Sequence, residues 1–129
     1  MKSIRQQFND KLQAQLRPIA SMGDNGASLL PSITEMNCGD VRLTIDAGGI
    51  LVDVRQPIDY QSGKVHLSQN IPCEHIVKES KARAWPHHLP IMLYCNDGYT
   101  AQLAKQKLEE LAYHNVINLG SIKNFRRCS

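Results

Sequence analysis

The apolar run Pro90-Ile91-Met92-Leu93-Tyr94 ends on Cys95, and a helical pattern starts at Thr100. Five apolar residues bounded by Pro90 on one side and Gly98 on the other suit a strand buried on both faces and are too few for a helix. From Thr100 to Tyr113 the apolar positions Leu103, Ala104, Leu108, Leu111 and Ala112 follow three-four spacing, as an amphipathic helix requires. A second run of this kind, Ile50-Leu51-Val52-Asp53-Val54, is rich in β-branched residues. Strands of this type cover both faces with helices, which predicts an α/β domain around a central, mostly parallel sheet flanked by helices in three layers.

The remaining segments fit that class. Asp40 is placed to cap a short helix through about Ala47, ended by Gly48 and Gly49. Pro57 and Asp59 start a helical turn, Asn70-Ile71-Pro72 reads as a short strand, and residues 74–84 read as a helix stopped at Trp85-Pro86. Val116 to Leu119 forms a last strand, which Gly120 ends. Ahead of the domain, Ile4, Phe8, Leu12 and Leu16 repeat every four positions, so residues 4–16 are expected to form a helix. Met22 to Pro31 reads as a linker, which divides the chain into an N-terminal appendage (1–31) and a domain (32–129).

A chain of 129 residues suits one core. Its 15 Lys and Arg exceed its 12 Asp and Glu by only three, spread along the sequence, so no nucleic-acid partner is expected. Lys123, Arg126 and Arg127 read as a solvated tail. No run of 18 apolar residues occurs and no membrane association is expected. The opening MKSIRQQFNDKLQAQL has no continuous apolar stretch, so a cytoplasmic location is the expectation; a secreted form already stripped of its leader would read the same way. Cys38, Cys73, Cys95 and Cys128 contain no CxxC pair, and Cys73 with His75 is the nearest approach to metal spacing. Free thiols, no metal and no organic cofactor are expected.

Cys95 is the candidate nucleophile. A cysteine between the C-terminal end of a buried parallel strand and a helix sits where open α/β sheets bind ligands. The turn offers backbone N–H groups that the helix leaves unpaired, and these favour an anion at the sulfur, whether a thiolate, a persulfide or a bound oxyanion. Gly98 supplies a positive φ to the tight turn, and Thr100 is placed to cap the helix and to donate toward the sulfur. The competing reading of Cys95 is a small hydrophobe at a strand end.

Two segments resemble the rhodanese family of sulfurtransferases. ILVDVRQPIDYQSGKVHLSQNIP is similar to its first signature: an aliphatic strand ending Asp-Val-Arg, an acid-aromatic pair, and a turn into Asn-Ile-Pro. PIMLYCNDGYTAQLAKQKLEELAYHNVINLGSIKNF is similar to its second, the cysteine loop with its helix and a Val-x-Asn-Leu-Gly-Gly-like close. The resemblance runs over roughly residues 36–125, nearest to small phage-shock-type members. It implies a thiosulfate sulfurtransferase-like enzyme in which Cys95 takes sulfane sulfur from a small-molecule donor (thiosulfate, a persulfide or a polysulfide). The Cys95 persulfide then passes that sulfur to a thiol or protein-cysteine acceptor. Asn96, Asp97, Gly98, Tyr99 and Thr100 would form the substrate-binding loop. Arg55 would join them or form a structural ion pair with Asp59, and Asp53 would be architectural.

The family loop usually carries a cation near Tyr99 or Thr100, whereas CNDGYT has none and Asp97 adds a negative charge that repels thiosulfate. A neutral donor or a persulfidated protein suits this loop better. Lys64 stands in place of a histidine, and Ser68 and Ser121 in place of glycines, which read as tolerated loop changes. Phosphatases of this fold place an arginine six residues after the cysteine; here that position is Ala101. Cys73 or Cys128 could resolve an oxidised or persulfidated Cys95. The alternative to an enzyme is a non-catalytic rhodanese-like module that binds a partner or senses redox state. A monomer or weak dimer is expected, the N-terminal helix being free to pair.

Overall fold

The computed structural model describes residues 31–125. The helix expected over 4–16, most of the linker, Arg126, Arg127 and Cys128 lie outside the described residues. A parallel sheet of order β2-β1-β3-β4 runs through the domain, with β1 at Ile50–Asp53, β2 at Gln69–Asn70, β3 at Ile91–Cys95 and β4 at Val116–Ser121. Between the strands lie α1 (Cys38–Asp46, ahead of β1), α2 (Pro57–Ser62), α3 (Ile76–Ala82) and α4 (Tyr99–Glu110).

Period-two alternation sorts the strand residues between two cores. Val52, Ile91, Leu93, Cys95 and Val116 face a layer that includes Ile76, Ala101, Ala104 and Leu108. Leu51, Met92, Tyr94 and Leu119 face the opposite layer, with Val41, Val65, Ile122 and Phe125. All five residues of β3 are buried, as the apolar run requires. The alternation therefore puts Cys95 on the side of the sheet covered by α4.

Several local expectations are corrected. Asn37 rather than Asp40 caps α1: its Oδ1 accepts the Asp40 N–H at 2.8 Å, and the Asp40 carboxylate accepts the Asn37 N–H at 3.2 Å. The buried stripe of α4 is Ala101, Gln102, Ala104, Lys105 and Leu108, while Leu103 is 50% exposed and Ala112 lies on the surface. The stripe follows i, i+3, i+4, i+7 from Ala101, and Leu103 falls off that face. Buried Gln102 and Lys105 find polar partners, Lys105 an ion pair with Glu109 at 3.2 Å.

Gly120 does not end β4, which continues to Ser121. Leu93 pairs with Asn118 but Cys95 pairs with Ser121, so β4 spends three residues where β3 spends two. This is a bulge, with Gly120 at φ +86°. Cys38 is disulfide-bonded, which overturns the expectation of four free thiols; Cys73 and Cys95 are free.

Candidate active site

Cys95 closes β3, and its sulfur does the work of a helix cap. Gly98 occupies the N-cap position of α4 at φ +93°, a conformation in which a side chain would be strained, and it has no side chain to offer the helix. The Cys95 Sγ takes that place, accepting the Ala101 N–H at 3.4 Å and the Gly98 N–H at 2.9 Å. Asp97 Oδ1 accepts the Tyr99 N–H at 2.9 Å and a hydrogen bond from the Cys95 thiol at 3.6 Å. Thr100 is exposed and makes no side-chain hydrogen bond among the described residues, so the expected threonine cap is absent. The helix needs one acceptor at that level and the sulfur already fills the place.

The expected loop residues thus take unequal parts. Gly98 donates to the sulfur and Asp97 accepts from it, while Asn96, Tyr99 and Thr100 present exposed side chains. Two N–H groups aimed at one buried sulfur, at the positive end of a helix, stabilise negative charge there or on a second sulfur bonded to it.

Arg55 is committed elsewhere. Its Nε and Nη2 grip Asp53 in a bidentate pair at 3.0 and 2.7 Å, Nη2 also donates to the Gly63 carbonyl at 2.5 Å, and Nη1 donates to Asn96 Oδ1 at 3.2 Å. The pair is buried, with Asp53 fully enclosed. The Asp53 hydrogen bonds raise the Arg55 pKa above its usual value against the opposing effect of burial. The ion-pair partner is therefore Asp53 and not Asp59, because the turn after β1 folds Arg55 back over the residue two before it. Arg55 holds the loop through Asn96 instead of presenting a free cation.

Sequence reasoning missed two supports. Asn118, fully buried, donates from Nδ2 to the Gly98 carbonyl at 2.9 Å and to Gln102 Oε1 at 3.2 Å, and its Oδ1 accepts the Gly120 N–H at 2.8 Å. Ser121 Oγ, carried into reach by the bulge, donates to the Asn96 carbonyl at 2.6 Å. A polar residue inside the apolar Val116–Leu119 strand was the available signal for Asn118. Ser121 and Ser68 are more than tolerated changes: Ser68 Oγ lies 2.6 Å from the Val65 carbonyl and 2.9 Å from the Tyr94 hydroxyl.

Cys73 shares the hydrophobic layer of Cys95, and burial pushes its thiol up. It follows β2, with its N–H on the Val54 carbonyl, so β1 stands between it and Cys95. Two strand spacings total about 10 Å, beyond the ~7 Å that a disulfide bridges without backbone movement. Beside the loop, a cleft of about 380 Å³ is lined by Arg55, Ser62, Gly63, Lys64 and Ile122. The Lys64 ammonium lies 4.7 Å from the centre of the Tyr60 ring. Among the described residues no cluster of three His, Cys, Asp or Glu side chains is placed to hold a metal.

A buried sulfur capping a helix at the carboxyl edge of a parallel sheet defines a cysteine-loop α/β domain. The chain belongs to the rhodanese-like family: the description Rhodanese-like domain fits residues 37–128. It is 39% identical over 74 residues to thiosulfate sulfurtransferase PspE of Escherichia coli, spanning 57% of this chain and 70% of that one. Among solved structures, a rhodanese with anions from E. coli shares 35% identity at a TM-score of 0.55, over 60% of this chain and 91% of its own. The single-domain sulfurtransferase RDL2 of Saccharomyces cerevisiae shares 25% identity at a TM-score of 0.56, over 73% and 89% respectively.

Proposed function

We propose that this protein transfers sulfane sulfur from a small donor to a thiophilic acceptor through a persulfide on Cys95. The observation that carries this reading is the pair of N–H groups, from Gly98 and Ala101, that converge on one buried sulfur at 2.9 and 3.4 Å. Thiol chemistry gains from such donors because sulfur carries charge both when it attacks and when its persulfide is discharged. In the first half-reaction the Cys95 sulfur bonds to the outer sulfur of the donor, and the donor's sulfur–sulfur bond breaks with its electron pair on the leaving group. In the second, the acceptor takes the outer sulfur and Cys95 is restored.

The donor reading follows from charge. Arg55 is paired with Asp53, and no cation stands in the loop, where Asp97 places a carboxylate 3.6 Å from the sulfur. Thiosulfate carries its sulfonate one bond from the sulfane sulfur and would meet that carboxylate directly. A neutral persulfide or polysulfide end avoids it.

Intact mass of the full chain tests the reading, after incubation with thiosulfate or with a polysulfide. Wild type should gain about one sulfur atom that cyanide removes, and Cys95→Ser should gain none. A wild type that acquires no cyanide-labile adduct from either donor would defeat the proposal.

A further inference from the structure

Among the described residues the Cys95 sulfur has three hydrogen-bond partners, and only one of these can take a proton. Gly98 and Ala101 donate to it at 2.9 and 3.4 Å, while Asp97 Oδ1 stands 3.6 Å away as an acceptor. The same oxygen is fixed by the Tyr99 N–H at 2.9 Å, so a backbone donor holds the carboxylate in place. Asp97 is exposed while the sulfur is buried, so a proton it takes from the sulfur can pass to a ligand or to water. Asn96, the other polar side chain beside Cys95, is turned to Arg55.

We infer that Asp97 is the proton acceptor of the sulfur-transfer step, an inference that rests on the function proposed above. In the loading step, Cys95–SH attacks the outer sulfur of R–S–SH. As the new sulfur–sulfur bond forms, the thiol proton moves to Asp97 Oδ1. The donor's sulfur–sulfur bond breaks with its electron pair on R–S⁻, which takes the proton back from Asp97 and leaves as R–SH. The products are Cys95–S–SH and R–SH, with no net oxidation. Discharge to a thiol acceptor is the same step run backward, so one carboxylate serves both half-reactions. The charge that repels thiosulfate is thereby given a use: it selects donors whose leaving group returns as a neutral thiol.

Asp97→Asn, Asp97→Ala and wild type separate this role from a structural one, because asparagine keeps an oxygen for the Tyr99 N–H but cannot take a proton. Rates of Cys95 loading are read by quenched intact mass with an uncharged alkyl persulfide, released in place from a caged precursor, and separately with thiosulfate. With the alkyl persulfide, both variants should load about 10²-fold more slowly than wild type, the lower end of what a positioned base contributes. With thiosulfate the loss should be smaller, since removing the carboxylate also removes a repulsion. Added acetate should restore the alanine variant in proportion to its concentration and leave wild type unchanged. An asparagine variant that loads at the wild-type rate overturns the inference, and so does an alanine variant that acetate does not speed. Failure of wild type itself to load from any donor strikes the proposed function instead.

Discussion

Replacing Asn118 by alanine removes three hydrogen bonds from a side chain that water does not reach. Two of the groups left behind keep another partner. The Gly98 carbonyl still accepts the Gln102 N–H at 3.0 Å, and Gln102 Oε1 still accepts the Ser32 N–H at 2.9 Å. Each of those losses is worth ~1 kcal/mol, whereas the Gly120 N–H, deprived of its side-chain acceptor inside the bulge, costs ~2 kcal/mol. The sum of about 4 kcal/mol, at an m-value of about 2 kcal/mol per molar, moves the urea midpoint down by about 2 M. Fluorescence of Trp85, the single tryptophan, reports the transition, since its ring lies edge-on to Tyr113 at 6.5 Å. Asn118→Asp sharpens the test. It keeps the acceptor for Gly120 but turns an oxygen toward the two oxygens, Gly98 O and Gln102 Oε1, that now receive N–H groups. It should be less stable than the alanine variant at neutral pH. An alanine variant within about 0.5 kcal/mol of wild type, a change ordinary for surface positions, would refute the reasoning.

Two further outcomes follow from the same geometry. Gly98→Ala places a Cβ 3.1 Å from Ile33 Cδ1 and 3.3 Å from Gly120 Cα at a φ of +93°. It should cost at least ~1–2 kcal/mol in urea unfolding for the left-handed backbone alone, and it should slow Cys95 loading by moving the N–H at 2.9 Å. Tyr94 governs the alkaline side: burial pushes its phenol from 10.0 up to about 12, against hydrogen bonds with Ser68 and the Val65 N–H. The folded state therefore holds this proton longer than the unfolded one, so the stabilisation is complete below pH 10 and is lost as the pH rises toward 12. Burial of Cys73 acts in the same sense from its lower starting point. In urea titrations across that range Tyr94→Phe should lose most of the slope and keep the part due to Cys73; an unchanged slope would contradict the assignment.

The sequence was most readable where one period decides the structure. β1 and β3 are short apolar runs, and the only place for Cys95 after such a strand is the mouth of a helix. Where the partner of a group is distant or shared, the reading failed. Thr100 has the chemistry of a cap, but the sulfur reaches the Ala101 N–H from six residues earlier. Arg55 sits four residues before Asp59, as on a helix, yet it lies in the turn after β1 and folds back to Asp53. Ser121 gains its bond to the loop only because β4 bulges, and a one-residue change of register leaves no mark in composition. Leu103 and Gln102 exchanged their expected places because Asn118 gives Gln102 a buried partner that hydropathy alone cannot anticipate. Cys38 shows the same limit, since pairing among four cysteines is not decided by their spacing.

The extra residue of β4 makes chain length, more than residue identity, the constrained quantity at this point of the sheet. Removing Gly120 would straighten β4 while leaving Ser121 opposite Cys95, so the bend that the bulge gives the strand would be lost. The Gly120 N–H bond to Asn118 would go with it, and the straightened strand would draw Ser121 away from the Asn96 carbonyl. Insertions and deletions should therefore be purged here and accepted in the exposed stretch Pro86 to His88, so a gap in an alignment has a different meaning at each place.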